Sequence, residues 1–239
     1  MKLFFVILIY FNSLAVLCQR IEVAGGMNRN IFYDLRKEDP HFTSTYNPGW
    51  GYVIKAGIQD VKVDWLTLKI TLEYDNYIGQ FKASHGGLGG RWYTSANTKK
   101  SVISLGLFPL NFEIRERIEL NFGMEMSRLI REDFKGKKGG WILIIGEQFD
   151  KDPIWSYALE AECDEFNSKY YFGFKASIAY KIDLGQSLYL KPEYSWFIGT
   201  SEEFLEFPTI TKSMRHYLCI GIGKKLDSSK RFARIITGT

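Results

Sequence analysis

A chain of 239 residues is long enough for one sizeable domain, and 46 % hydrophobic with 24 % charged residues is too ordinary a balance for a helical membrane bundle. A net charge of +4, spread along the chain with no basic domain, argues against a nucleic-acid partner. The unusual figure is 16 % aromatic residues, types that favour strands and membrane interfaces.

The chain begins with Lys2, the apolar run "LFFVILIYF" (Leu3–Phe11) and "NSLAVLCQ", which offers a cleavage point after Cys18 with Val16 and Cys18 as the small residues. Residues 1–18 therefore read as a secretory signal peptide. The apolar run stops at Asn12-Ser13, short of the roughly 20 residues a spanning helix needs. "LAVLC" resembles a lipoprotein box, but Leu17 stands where a small residue is expected. With Cys18 gone, Cys163 and Cys219 remain; two free thiols are favoured over a disulfide, because Cys219 falls in mid-strand.

Eight alternating runs follow, over 19–226: Ile21–Asp34, Gly49–Gln59, Leu66–Phe81, Lys100–Ile114, Arg117–Ile130, Tyr170–Ile182, Ser187–Gly199 and Arg215–Leu226. The third opens "LTLKITLEY", with Leu66, Leu68, Ile70, Leu72 and Tyr74 on one face and Thr67, Lys69, Thr71 and Glu73 on the other. Most runs reach the roughly 9–11 residues of a tilted spanning strand. Pro192 lies inside the seventh run, lacks a ladder donor, and predicts a bulge. Residues 227–239 form a C-terminal tail.

The connections alternate. "DVKVD", "RER" and "DLGQ" are short, whereas "LRKEDPHFTSTYNP", "KASHGGLGGRWYTSANTK" and "TSEEFLEFPTITK" are long, and the longest gap is 131–169. Short connections on one side, with both termini there, are the layout of an all-β, antiparallel, up-and-down transmembrane β-barrel. It has eight strands, or ten if "GGWILIIGEQF" and "IWSYALEAECDEF" also span; their poor alternation favours eight.

In such a barrel the apolar face meets lipid and the polar face points inward. The inward set is Lys55, Lys69, Glu73, Asp75, Glu119, Glu125, Lys175, Lys181, Lys191 and Glu193. The signs balance, which predicts an ion-paired lumen filled by side chains. Interface aromatics are Trp50, Tyr52, Tyr74, Tyr77, Trp92, Tyr93, Tyr170, Tyr171, Tyr194 and Trp196, with His216 beside them. The alternative of opposite polarity is a secreted, soluble, lipocalin-like binding barrel with an apolar cup.

Catalytic candidates are sparse. His41 and His85 lie in long outer connections near Asp39, Ser44 and Ser84, so an outer-membrane lipid-modifying enzyme is the rival from another class. "GGLGG" lacks the Lys-Ser/Thr and helix of a phosphate loop, and "EAECDE" lacks the ligand spacing of a calcium loop. No cofactor or metal is expected. "KGKK" (Lys135–Lys138) is suited to touching lipid phosphates.

The leader running into "QRIEVAGGMN", the strand "LGLFPLNFEI", the tight turn and "IELNFGMEMSRLI" resemble the PorT-like outer-membrane barrel domains over most of the mature chain. The resemblance implies a small barrel in the outer membrane of a Gram-negative bacterium, with a structural role or a part in a secretion, assembly or surface complex. Its partners would be outer-membrane lipid and envelope proteins met through the outer loops; it brings no catalytic residues. Many outer-membrane barrels end in an aromatic residue on the last strand, whereas this chain continues past Leu226 with "DSSKRFARIITGT".

Overall fold

The computed structural model describes residues 19–37, 41–63, 66–87, 90–142, 155–161, 168–204 and 209–226. They form ten strands: β1 (Arg20–Lys37), β2 (Phe42–Val63), β3 (Leu66–Gly87), β4 (Gly90–Ile114), β5 (Ile118–Ile142), β6 (Trp155–Ala161), β7 (Tyr170–Tyr180), β8 (Ile182–Gly185), β9 (Leu188–Gly199) and β10 (Thr209–Lys225). All pairings are antiparallel, in the order β1-β2-β3-β4-β5-β7-β9-β10, and β10 pairs back onto β1 from Arg20↔Lys225 to Lys37↔Thr209. The ring therefore has eight staves and no free edge within the barrel. β8 continues the line of β7 against β9, and β6 lies outside the ring, paired to residues 134–140 of β5.

Several long connections expected from sequence are in fact strand. β3 and β4 stay paired out to Gly87↔Gly90, and β4 and β5 from Ile114↔Ile118 to Gly90↔Ile142. The asymmetry between the two ends thus comes from hairpins that rise as a twisted wall. Burial still alternates in these extensions, but outward Lys82, Ser95 and Asn97 alternate with small or polar inward residues such as Ala83, Thr94, Ala96 and Thr98, so the apolar–polar contrast fades, and this hid them from a pattern reading. The 131–169 gap divides in the same way, β5 running to Ile142 and β6 returning along it.

Pro192 behaves differently from the bulge expected of it. The β7–β9 register runs from Gly173↔Gly199 to Ala179↔Glu193 and resumes at Ile182↔Leu190 with the same offset. What is lost is the pairing at Tyr180 and Lys181, where the missing proline N–H leaves a gap between β7 and β8. On the other side β10 pairs through Ile220↔Pro192 without a shift.

Polarity settles which face is which. Outward side chains include exposed Val23, Met27, Ile54, Leu107, Met124 and Ile220, part of an apolar belt around the ring, while Lys55, Lys69, Glu73, Glu119 and Lys175 are buried inside. A soluble cup would carry the opposite arrangement. An exposed apolar belt on a closed barrel is what a hydrocarbon solvent selects. The leader, the tail from residue 227 and Cys163 lie outside the described residues; Cys219 is a buried free thiol on the inner face of β10.

Candidate functional site: the charged lumen and its outer plug

The interior is organised in layers because inward positions recur every second residue on each strand. In the layer toward the short turns, Glu119 of β5 is the hub. Lys69 Nζ donates to Glu119 Oε1 at 2.8 Å, and the ammonium groups of Lys181 and Lys191 stand 3.1 and 3.4 Å from its carboxylate. Gln59 and Asn121 donate to the same Oε1. Lys191 also pairs with Glu22, and Lys55 with Glu193, so the anions and cations interlock across five strands and the β7–β8 junction.

In the middle layer Lys175 donates to Glu73 and, at 2.7 Å, to Glu125. Arg215 donates to Asp75 Oδ2 at 2.8 Å, and the Tyr217 hydroxyl donates to the same oxygen at 2.8 Å. The Arg215 guanidinium lies between the Phe197 and Tyr77 rings, 4.1 and 4.9 Å from their centroids. Toward the inner mouth Arg20 bridges Asp60 and Glu113, and a cavity of about 810 Å³ lies between the 115–117 and 185–188 turns, lined by Arg115, Glu116, Arg117, Lys181, Asp183 and Lys225 among others. Glycines make room for rings in the filled interior: a Cβ at Gly79 would meet the Phe32 ring at 1.9 Å, and one at Gly223 the Tyr189 ring at 2.2 Å.

The outer end is closed by a different device. Just past β9, Glu203 and Phe204 turn into the barrel and lie among inward side chains. Lys100 Nζ donates to Glu203 Oε2 at 2.9 Å, to the Glu203 carbonyl at 3.2 Å and to the Tyr171 hydroxyl at 3.2 Å, using all three ammonium protons. Phe204 packs on Phe32 and Phe81 with centroids 5.3 and 5.6 Å away, and its ring lies 4.4 Å from the Lys100 ammonium. Glu203 N–H donates to the Thr211 carbonyl at 2.8 Å, which ties the plug to β10.

Burial works to raise the Glu203 carboxyl, but the neighbouring Lys100 ammonium, with Arg215 behind it, overrides this and holds it below the ordinary carboxylate value of 4.5. A depressed folded value means the pair's stabilisation is fully present above about pH 4.5 and is lost as pH falls through the lowered value. Pepsin digestion of the refolded barrel at graded acid pH should therefore show rising cleavage in the β9–β10 loop. A Lys100→Met/Glu203→Leu variant should show no such step.

All ten residues expected in the lumen are buried and point inward, none more than 8 % exposed. The aromatic set divides. Trp50, Tyr52, Tyr170, Tyr194 and Trp196 are outward and exposed, Tyr74 and Tyr93 outward and half-buried. Tyr77 and Tyr171 belong instead to the interior, because they share the parity of Asp75 and Lys175 on their strands. Trp92 likewise packs inward, its centroid 6.2 Å from that of buried Phe42. His216 faces outward, with Nδ1 2.7 Å from the Tyr194 hydroxyl. His85 stacks on Trp92, Ser44 donates to Asp34, and Ser84 shares a hydrogen bond with Thr43 and accepts one from Arg91.

The pattern reading missed Glu22, Lys100, Glu203 and Arg215. Glu22, Lys100 and Arg215 sit at inward parity within the runs read as strands β1, β4 and β10, from which no lumen residue was named, so alternation carried through those runs could have found them. Glu203 lies in a loop, where no periodicity operates.

No family model matches the chain, and no curated protein matches it in sequence. Among solved structures it is similar to Neisserial surface protein A (NspA) at 8 % identity and TM-score 0.38, over 86 % of this chain and 97 % of that one. It is similar to Ail of Yersinia pestis at 10 % identity and TM-score 0.40, over 86 % and 98 %. It is also similar to the outer membrane protein OprG of Pseudomonas aeruginosa at 10 % identity and TM-score 0.37, over 87 % and 96 %.

Proposed function

We propose that the protein is a monomeric barrel of the Gram-negative outer membrane with a closed lumen, acting as a structural element or as a component of a secretion, assembly or surface complex. The observation that carries this reading is the inversion of polarity: an exposed apolar belt around an interior of interlocked ion pairs. The layers leave side chains where a pore would need water, and the lysines and carboxylates neutralise one another. The outer hairpins of β2 to β5, with polar outward residues such as Thr45, Lys82, Asn97 and Lys135, present a stiff wall for envelope partners. The PorT-like resemblance points to the same class of role.

Outer-membrane fractions run on a gel with and without boiling test it. The folded barrel should migrate faster unheated, and the refolded protein should give no conductance steps in planar bilayers. Recovery in the soluble periplasm without a heat shift would refute the membrane reading, and steady step currents would refute the closed lumen.

A further inference from the structure

On the lipid-facing wall, a continuous cross-strand row runs Tyr52–Asn76–Ser101–Arg131 over β2, β3, β4 and β5. With Tyr74, Lys99 and Asp133 these residues line an outward cavity of about 190 Å³. Three features make it unlike the rest of the wall.

The first is that its floor is polar and buried although it faces outward. Asn76 and Ser101 alternate with the inward residues Asp75, Tyr77 and Lys100, yet are only 4 % and 7 % exposed, and Asn76 Nδ2 donates to Ser101 Oγ at 2.8 Å. The Tyr52 and Tyr74 rings stand beside this floor on the same face, their centroids 6.1 Å apart. The second is the bulge that aims Arg131. Val102 pairs with Leu129 and Ser101 with Arg131, leaving Ile130 as the extra residue. Leu129 packs inward against the outer aromatic cluster; an unbroken alternation would send Arg131 inward after it, and the bulge turns it out. The third is height. Outward residues change from Leu107, Leu105 and Ile103 to Ser101, Lys99 and Asn97 along β4, and from Phe122, Met124 and Met126 to Arg128, Arg131 and Asp133 along β5. The cavity therefore lies where hydrocarbon gives way to headgroups on the side of the long hairpins.

Lys99 and Arg131 form no ion pair among the described residues, and Asp133 leans toward Lys135, 3.9 Å away. Two cations over a floor of amide and hydroxyl donors, flanked by amphipathic tyrosines at the interface, suit a phosphate carried on an acylated molecule. We propose that this cavity binds the phosphorylated headgroup of an outer-leaflet lipid, with Lys99 and Arg131 on the phosphate and Tyr52 and Tyr74 against the headgroup above the acyl chains. The site rests on the outer-membrane reading given above.

Native mass spectrometry on the refolded barrel, released from phosphatidylcholine nanodiscs doped with bisphosphorylated lipid A, tests the site directly. The expected result is retained lipid A on the native protein, and retention about tenfold weaker in Lys99→Gln/Arg131→Gln. Phosphatase-treated lipid A should be retained as weakly as on the variant, and Lys82→Gln, higher on the same wall, should bind like the native chain. Equal retention by Lys99→Gln/Arg131→Gln, equal retention of dephosphorylated lipid A, or displacement by inorganic phosphate at matching concentration would each overturn the proposal. An unchanged heat shift in every variant keeps that failure separate from failure of the barrel or membrane assignment.

Discussion

Glu119→Ala is expected to be the most damaging single substitution in the barrel. It removes the one carboxylate shared by Lys69, Lys181 and Lys191, and it also takes the acceptor from Gln59 and Asn121. Three ammonium groups then face one another inside the barrel, with Glu22, Glu193 and Glu113 as their remaining counter-ions. Breaking a buried pair by removing one partner typically costs about 3–5 kcal/mol, because the partner's charge stays desolvated. Here the three ammonium groups share the loss and each keeps at least one other counter-ion, while Gln59 and Asn121 lose an acceptor as well, so the expected loss lies within that range. Urea titration of protein folded into vesicles, followed by tryptophan fluorescence and by the fraction of heat-modifiable band, measures it. Glu119→Gln/Lys69→Met removes one charge of each sign and should recover most of the loss. An unshifted midpoint for Glu119→Ala would mean that the inner layer is solvated and carries no structural charge network.

The asymmetry between what alternation revealed and what it hid has a physical basis. Within the belt, each outward residue is selected by lipid and each inward one by the packed lumen, so period-two patterning is strong. That is why Lys69 and Glu73 in "LTLKITLEY", and Glu119 and Glu125 in "IELNFGMEM", were each assignable to one face of their strand, while the leader, the rim aromatics and the one-sided long connections were needed to make that face the inner one. The same rule, applied strictly, also assigns Tyr77 and Tyr171 to the lumen; grouping aromatics by nearness to a strand end instead of by parity misplaced them. Above the belt the outward face of β3 and β4 is polar, and the buried inward face carries small or polar Ala83, Thr94, Ala96 and Thr98, so the contrast between faces is weak and strand extensions read as loops. Two changes were beyond any pattern. The bulge at Ile130 reverses parity within β5, and Glu203 enters the barrel from a connection, where only tertiary packing places it.

The second large effect is expected at that plug. Glu203→Ala leaves Lys100 fully buried with only the Glu203 carbonyl and the Tyr171 hydroxyl of its three acceptors, and without its counter-ion. The barrel wall around Lys100 is closed by β-strands, whereas Phe204 and its neighbours belong to a loop, so the cheaper relaxation is for the loop to leave and water to reach the ammonium. A cost of about 3 kcal/mol corresponds to a roughly hundredfold larger open population. Endoproteinase Glu-C, which can cut after Glu202 and Glu206 beside the plug, should then cleave the loop correspondingly faster in the folded barrel. Lys100→Met/Glu203→Leu replaces the pair with apolar groups inside an aromatic cage of Phe32, Tyr171 and Phe204, and cleavage should return to the native rate, since such exchanges of a buried pair are often neutral. If the double variant is cut as fast as Glu203→Ala, the loop is held by something other than this pair and its ring contacts. Conductance separates plug from lumen: with Glu203→Ala the planar-bilayer current should stay at baseline, because Lys175 with Glu73 and Glu125, and the Glu119 hub beyond them, still fill the barrel below. Step currents in Glu203→Ala would make the loop the sole closure and the ion layers a hydrated channel wall.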